Sequence, residues 1–179
     1  MGIPTLISTN SDPTDVASIE FTSGIDSTYD EYMFVCTDIG PATDSADFAF
    51  QCSIDGGSNY NVTTTSTNWM AYNEEGGGSA GISYRTGEDQ AQGTAFQHLT
   101  LTTGNGADES CVGILHLFSP ASTTYVKHFY ARFNNYYSGN ELYSNHIAGY
   151  FNDANDINAI QFKMSSGNFD GVIQMYGIK

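Results

Sequence analysis

The chain is 179 residues long, enough for one domain with a proper core, and carries 20 acidic against 5 basic residues, a formal charge of −15. That balance excludes phosphate-backbone binding, which needs Lys and Arg clusters, and disfavours anionic membrane surfaces. Charged residues are only 14% while aromatics reach 13%, mostly Tyr and Phe, so Ser, Thr, Asn, Gln and Gly must cover the surface of a β-type composition.

Residues 1–16 (MGIPTLISTNSDPTDV) hold Pro4 and Pro13 and little periodicity. They predict an extended N-terminal arm ahead of a single domain over residues 17–179, and apolar Ile3, Leu6 and Ile7 are its candidate attachment residues. The first residues lack the basic start and apolar stretch of a secretory signal, and no run approaches the ~20 apolar residues of a membrane span. Membrane insertion is therefore not expected. In residues 17–22, Ile19 and Phe21 alternate with Ser18 and Glu20, a first strand. Residues 29–38 form a central strand with Tyr32, Phe34 and Cys36 on one face and Met33 and Val35 on the other.

Turn residues 40–44 lead back into 46–54, with Phe48, Phe50, Cys52 and Ile54 inward. In a regular hairpin Cys36 would face Cys52, but buried free thiols are the default reading for Cys36, Cys52 and Cys111. Residues 58–93 are the least legible: 69–72 fit a strand or a helical turn, 74–78 a flexible tip, 81–85 a short strand. Regularity returns at 94–101 and at 111–118 (CVGILHLF), the most apolar run, expected to be buried on both faces. Two more strands follow at 124–133 and 142–151, around a loop at 134–140. The last hairpin joins 160–164 to 172–178, whose second strand is apolar on both faces and reads as interior, or as paired with another subunit.

The pattern predicts an all-β chain of about 8–10 strands, an antiparallel β-sandwich of jelly-roll type. The segments IEFTSGIDSTYDEYMFVCTDIGPATD, FQCSIDGGSNYN, GNGADES with LHLFSPASTTYVKHFYA, and FKMSSGNFDGVIQMYGIK resemble small virion proteins of tailed, especially marine, bacteriophages. The resemblance implies a jelly-roll-like sandwich on the particle exterior, as capsid decoration, head fibre or part of the tail-fibre apparatus. It brings no catalytic residue with it.

The search for chemistry points the same way. His98, His116, His128 and His146 each stand alone in a strand, without the close pairing usual for metal ligands. No nucleophile elbow, P-loop or dinucleotide motif occurs, so no enzyme activity, cofactor or metal is expected. Carboxylates at Asp26, Asp30 and Glu31, and at Asp153 and Asp156, read as solvated turn residues rather than Ca²⁺ ligands. Asn134, Asn135, Tyr136, Tyr137 and Asn140 are the candidate surface-recognition residues, with Trp69 a second sugar platform, although a lone Trp ordinarily fills core. The expected partners are further copies of the chain, in a trimer, other virion proteins such as capsid or tail, and host glycans. Nucleic acid is not among them.

Overall fold

The computed structural model describes residues 2–10 and 13–179; Met1, Ser11 and Asp12, part of the expected arm, lie outside the described residues. Among the described residues there are thirteen strands and no helix. They are β1 Thr5–Asn10, β2 Ile19–Phe21, β3 Glu31–Pro41, β4 Phe48–Ser53, β5 Thr64–Glu74, β6 Ala80–Tyr84 and β7 Ala91–Gly93. There follow β8 Gln97–His98, β9 Cys111–Phe118, β10 Lys127–Tyr137, β11 Glu141–Phe151, β12 Ala159–Met164 and β13 Phe169–Ile178.

All pairings are antiparallel. A nine-stranded sheet runs β1-β13-β3-β9-β10-β11-β5-β6, with β7 also on β5, and a four-stranded sheet runs β2-β12-β4-β8. The two pack face to face as a β-sandwich, because the alternating apolar residues of each must leave water together. Phe162 of β12 is fully buried at the centre, with ring centroids 5.6 Å from Phe34, 5.8 Å from Phe48, 6.3 Å from Phe50 and 6.4 Å from Phe21. Phe133 and Phe129 of β10 reach the same cluster through Phe48 and Phe50. Their rings also cover cross-strand partners Gly113 and Gly149, where a Cβ would collide with the ring and with backbone.

Several expectations are corrected. Residues 5–10 form a strand that pairs with β13 from Thr5↔Gly177 to Asn10↔Ile173, with a bulge between Leu6 and Ser8. An edge strand needs only one apolar side chain to dock, here the half-buried Ile7, so it leaves little periodicity to read. The terminal strand β13 is interior as expected, and its neighbours are β1 and β3 of its own chain. It does not form a hairpin with β12, because the residues between them carry the chain from one sheet to the other. β3 and β4 likewise belong to different sheets, so Cys36 and Cys52 are not hairpin neighbours; all three cysteines are buried free thiols. Burial raises each thiol pKa, Cys111 to about 12.

The opaque stretch becomes β5, β6 and β7, and residues 69–72 are strand, not helix. The strand expected over 94–101 shrinks to two residues. The rest runs on to the inward-facing Asn135 of β10, whose Nδ2 donates to the Leu101 carbonyl, and buries Leu99 and Leu101. Gln97 anchors the segment: its amide donates to the Glu88 carbonyl at 2.9 Å and accepts from the Ser66 hydroxyl at 2.5 Å.

Candidate functional site: the outer face of the nine-stranded sheet

Side chains pointing away from the sandwich on the large sheet line up in cross-strand rows. The central row starts on the β1 side with Thr9, Gln174, Val35 and Ile114, each paired with the next. It continues through Arg132, His146, Trp69 and Tyr84 to the far edge. A parallel row holds Tyr176, Met33, His116, Tyr130, Ala148 and Thr67, and a shorter one Val112, Asn134, Ser144, Ala71 and Ile82.

Of the exposed large hydrophobic side chains among the described residues, all but Ile3 and Tyr125 share this face; Trp69 is 38% and Ile114 38% exposed. The three rows contain no carboxylate, although the chain has 20 acidic residues. Glu31, beside the second row, bonds His116 Nδ1 at 2.5 Å. Expected to be buried on both faces, β9 instead buries Cys111, Leu115 and Leu117 and turns Val112, Ile114 and His116 to this surface. The reason is that the sandwich has two layers: the second sheet covers one face of β9, and among the described residues no further layer covers the other.

The rings stand in ladders. His146 lies parallel to Trp69 with centroids 4.0 Å apart, and His116 stacks on Tyr130 at 4.5 Å. Desolvation and the adjacent Arg132 guanidinium lower the pKa of His146, so this imidazole is neutral at pH 7 and Arg132 is the cation of the row. Tyr130 and Arg132 form a ridge between two hollows. One, of about 570 Å³, is bounded by Val35, Val112, Ile114 and His116; the other, of about 310 Å³, by Thr67, Trp69, His146 and Ala148. Uncharged ring edges and aliphatic surface around one guanidinium suit contact with another macromolecule. Trp, Tyr, Met and Arg are the types enriched in interface centres, where Asp, Glu and Lys are depleted.

The predicted site residues divide: Leu6, Asn134 and Tyr136 lie on this face, and the others serve other ends. The 134–140 segment is not a loop: β10 continues to Tyr137, β11 starts at Glu141, and only residues 138–140 turn, with Asn140 at φ 65°. Asn135 is buried and structural, accepting from Asn145 Nδ2 at 2.9 Å and donating to the Leu101 carbonyl at 2.8 Å. Tyr137 stacks on Tyr143 at 4.7 Å, and Tyr136 donates to Asn140 Oδ1 at 3.2 Å. Asn134 does lie on the outer face, next to Val112. Of the attachment candidates, Ile3 is 88% and Leu6 51% exposed, whereas Ile7 packs against the core.

Trp69 is not core but outer face. Asp153 accepts from the Asn155 backbone at 2.7 Å, and its carbonyl receives the buried Lys127 Nζ at 2.7 Å. Asp26 accepts from the Thr28 backbone at 2.7 Å and the Tyr32 hydroxyl at 3.1 Å. Arg132, His146, Ile114 and Tyr130 escaped the sequence reading. Their signal was the alternation of His128, Tyr130 and Arg132 with Phe129, Ala131 and Phe133, which marks two faces without saying that one stays open.

The chain matches no protein-family model and no curated protein sequence.

Proposed function

We propose that the chain is a non-catalytic structural protein of a bacteriophage particle, placed on the exterior as capsid decoration or head fibre, and that it works by docking through the outer face of its large sheet. The observation that carries this reading is the composition of the rows on that face: aromatic, aliphatic and uncharged polar side chains around Arg132 with no carboxylate among them, on a chain of charge −15, while Glu31 and Asp89 border the rows, bonded to His116 and to the Tyr84 hydroxyl. A face of this kind does work by being covered, which suits a building block. The resemblance of the quoted segments to phage virion proteins supplies the setting.

A jelly-roll topology is part of the same proposal. Eight strands support it: in chain order β1, β2, β3, β4, β8, β9, β12 and β13, they divide as β1-β13-β3-β9 and β2-β12-β4-β8. First and last strands are neighbours in one sheet, second and second-to-last in the other, as expected when one long hairpin rolls up. The insertions β5–β7 and β10–β11 then extend the first sheet beyond β9, and they bring Trp69, Tyr130, Arg132 and His146 with them.

The test is quantitative mass spectrometry and immunogold labelling of purified particles from the phage that encodes the chain. Many copies at the particle surface are expected; absence from purified particles would refute the reading. A second reading, contact with host glycans from a tail-fibre position, draws on the adjacent, exposed Trp69 and Tyr84. Labelling confined to the tail, with saturable binding to host polysaccharide, would favour it instead.

A further inference from the structure

We infer that the occupant of the outer face is a second copy of this chain, in a closed ring of three or more copies in which Arg132 meets a carboxylate of the neighbouring copy. This rests on the docking role proposed above and names the partner.

Size is the first argument. The face crosses eight strands from β1 to β6, so at ~4.8 Å per strand gap it is roughly 34 Å wide. Three rows deep, it offers roughly 600–700 Å², close to the ~800 Å² that each partner contributes to a standard interface.

Charge is the second. Copies of a −15 chain repel each other least where carboxylates are sparse, and these rows hold none of their own, Glu31 and Asp89 at their margin being bonded to His116 and Tyr84. Three of the five cations are engaged within the chain: Lys127 is buried on the Asp153 carbonyl, Lys163 lies over Phe96 and Lys179 over Tyr29. Arg85 and Arg132 make no ion pair or side-chain hydrogen bond among the described residues, and of the two it is Arg132 that stands in the middle of the rows. A guanidinium amid apolar surface is suited to a carboxylate that arrives with a partner, and another copy of this chain brings many.

Symmetry is the third. A two-fold, face-to-face dimer would set the patch against itself. Arg132 sits on β10, the fifth of eight strands across, so the two guanidinium groups would meet near the axis. A ring avoids this, because each copy offers one part of its surface to the copy before it and another to the copy after.

The experiment is native mass spectrometry and sedimentation of the full chain at about 1–50 µM, at or above the weak end of the µM-to-pM range of interfaces of this size, with hydroxyl-radical footprinting of Trp69 and Tyr130. The wild type should form one species of three or more copies, with both rings protected as concentration rises. Arg132→Glu should give a monomer with unchanged circular dichroism, and Ile114→Asp should do the same. Arg132→Lys should weaken assembly without abolishing it. A wild-type monomer, a two-fold dimer, or an Arg132→Glu chain that assembles like wild type would each overturn the inference. Should Arg132→Glu fail to fold, footprinting of the wild type decides: an oligomer with Trp69 and Tyr130 unprotected refutes it. A monomer still found on particles would sink this inference and leave the virion reading standing, with another virion protein as the occupant.

Discussion

Phe162→Ala is the sharpest probe of the sandwich. The ring is fully buried between the sheets and has four aromatic neighbours with centroids between 5.6 and 6.4 Å away. Truncating a buried Phe to Ala costs ~3–5 kcal/mol through lost transfer energy and the remaining cavity. Favourable ring–ring geometries add about 0.5–1.5 kcal/mol each beyond area burial, which places this site at the upper end, ~4–5 kcal/mol. The neighbours belong to β2, β3 and β4, in both sheets, so collapse of one side chain cannot fill the gap. For a domain of this size each kcal/mol moves Tm by about 2–4 °C, so a fall of roughly 10–15 °C is expected. Urea denaturation followed by circular dichroism measures the loss as a lower midpoint at unchanged slope. Phe162→Leu, which keeps most of the volume, should lose less than half as much. A loss under ~1.5 kcal/mol for the alanine variant would refute the placement of Phe162 between two packed sheets.

Further outcomes follow from other parts of the fold. Removing residues 2–10 deletes β1 and bares the edge of β13, so the shortened chain should aggregate, read by light scattering; a well-behaved folded product would mean that β1 is dispensable. Burial opposes the charge of His98, but its bond to Glu88 and the charges of Asp47 and Glu88 outweigh it and raise the pKa, while the same bond lowers that of Glu88. The His98 contribution is present in full below its unfolded pKa of ~6.5 and is lost as pH rises through the folded value; the Glu88 contribution is present above ~4.5 and lost as pH falls through its folded value. Stability from this pair is therefore greatest between pH ~4.5 and ~6.5, and His98→Gln should flatten the alkaline side of a Tm–pH profile. Gly113→Ala sets a methyl group against the Phe133 ring and the Arg132 carbonyl, and should cost ~1–3 kcal/mol by urea titration. Native protein should resist thiol alkylation and expose three reactive cysteines only once unfolded; a native-state reaction at Cys36, Cys52 or Cys111 would contradict their burial.

Much of the architecture is written in short-range pattern. The alternation in residues 29–38 assigns Tyr32, Phe34 and Cys36 to the core, and the same period places Phe48, Phe50 and Phe162 inside, whereas 172–178, apolar on both faces, left the inward Ile173 and Met175 undistinguished from Val172 and Tyr176. Alternation survives because a half-buried strand must sort its side chains every second residue, whatever it pairs with. What pattern cannot carry is the choice of neighbour. β3 and β4 look like a hairpin, as do β12 and β13, yet each pair is split between sheets, because a short polar turn can return the chain alongside itself or pass it across the sandwich. Nor does pattern distinguish a face covered by the other sheet from one left open. Val112 and Ile114 are as apolar as Leu115 and Leu117, and it is the two-layer packing, with the second sheet on one side of β9 only, that leaves the first pair facing outward. The outer face itself was invisible for that reason. Thr9, Gln174, Val35, Ile114, Arg132, His146, Trp69 and Tyr84 come from eight strands spread along the chain, and only the register of seven strand pairings brings them into one row.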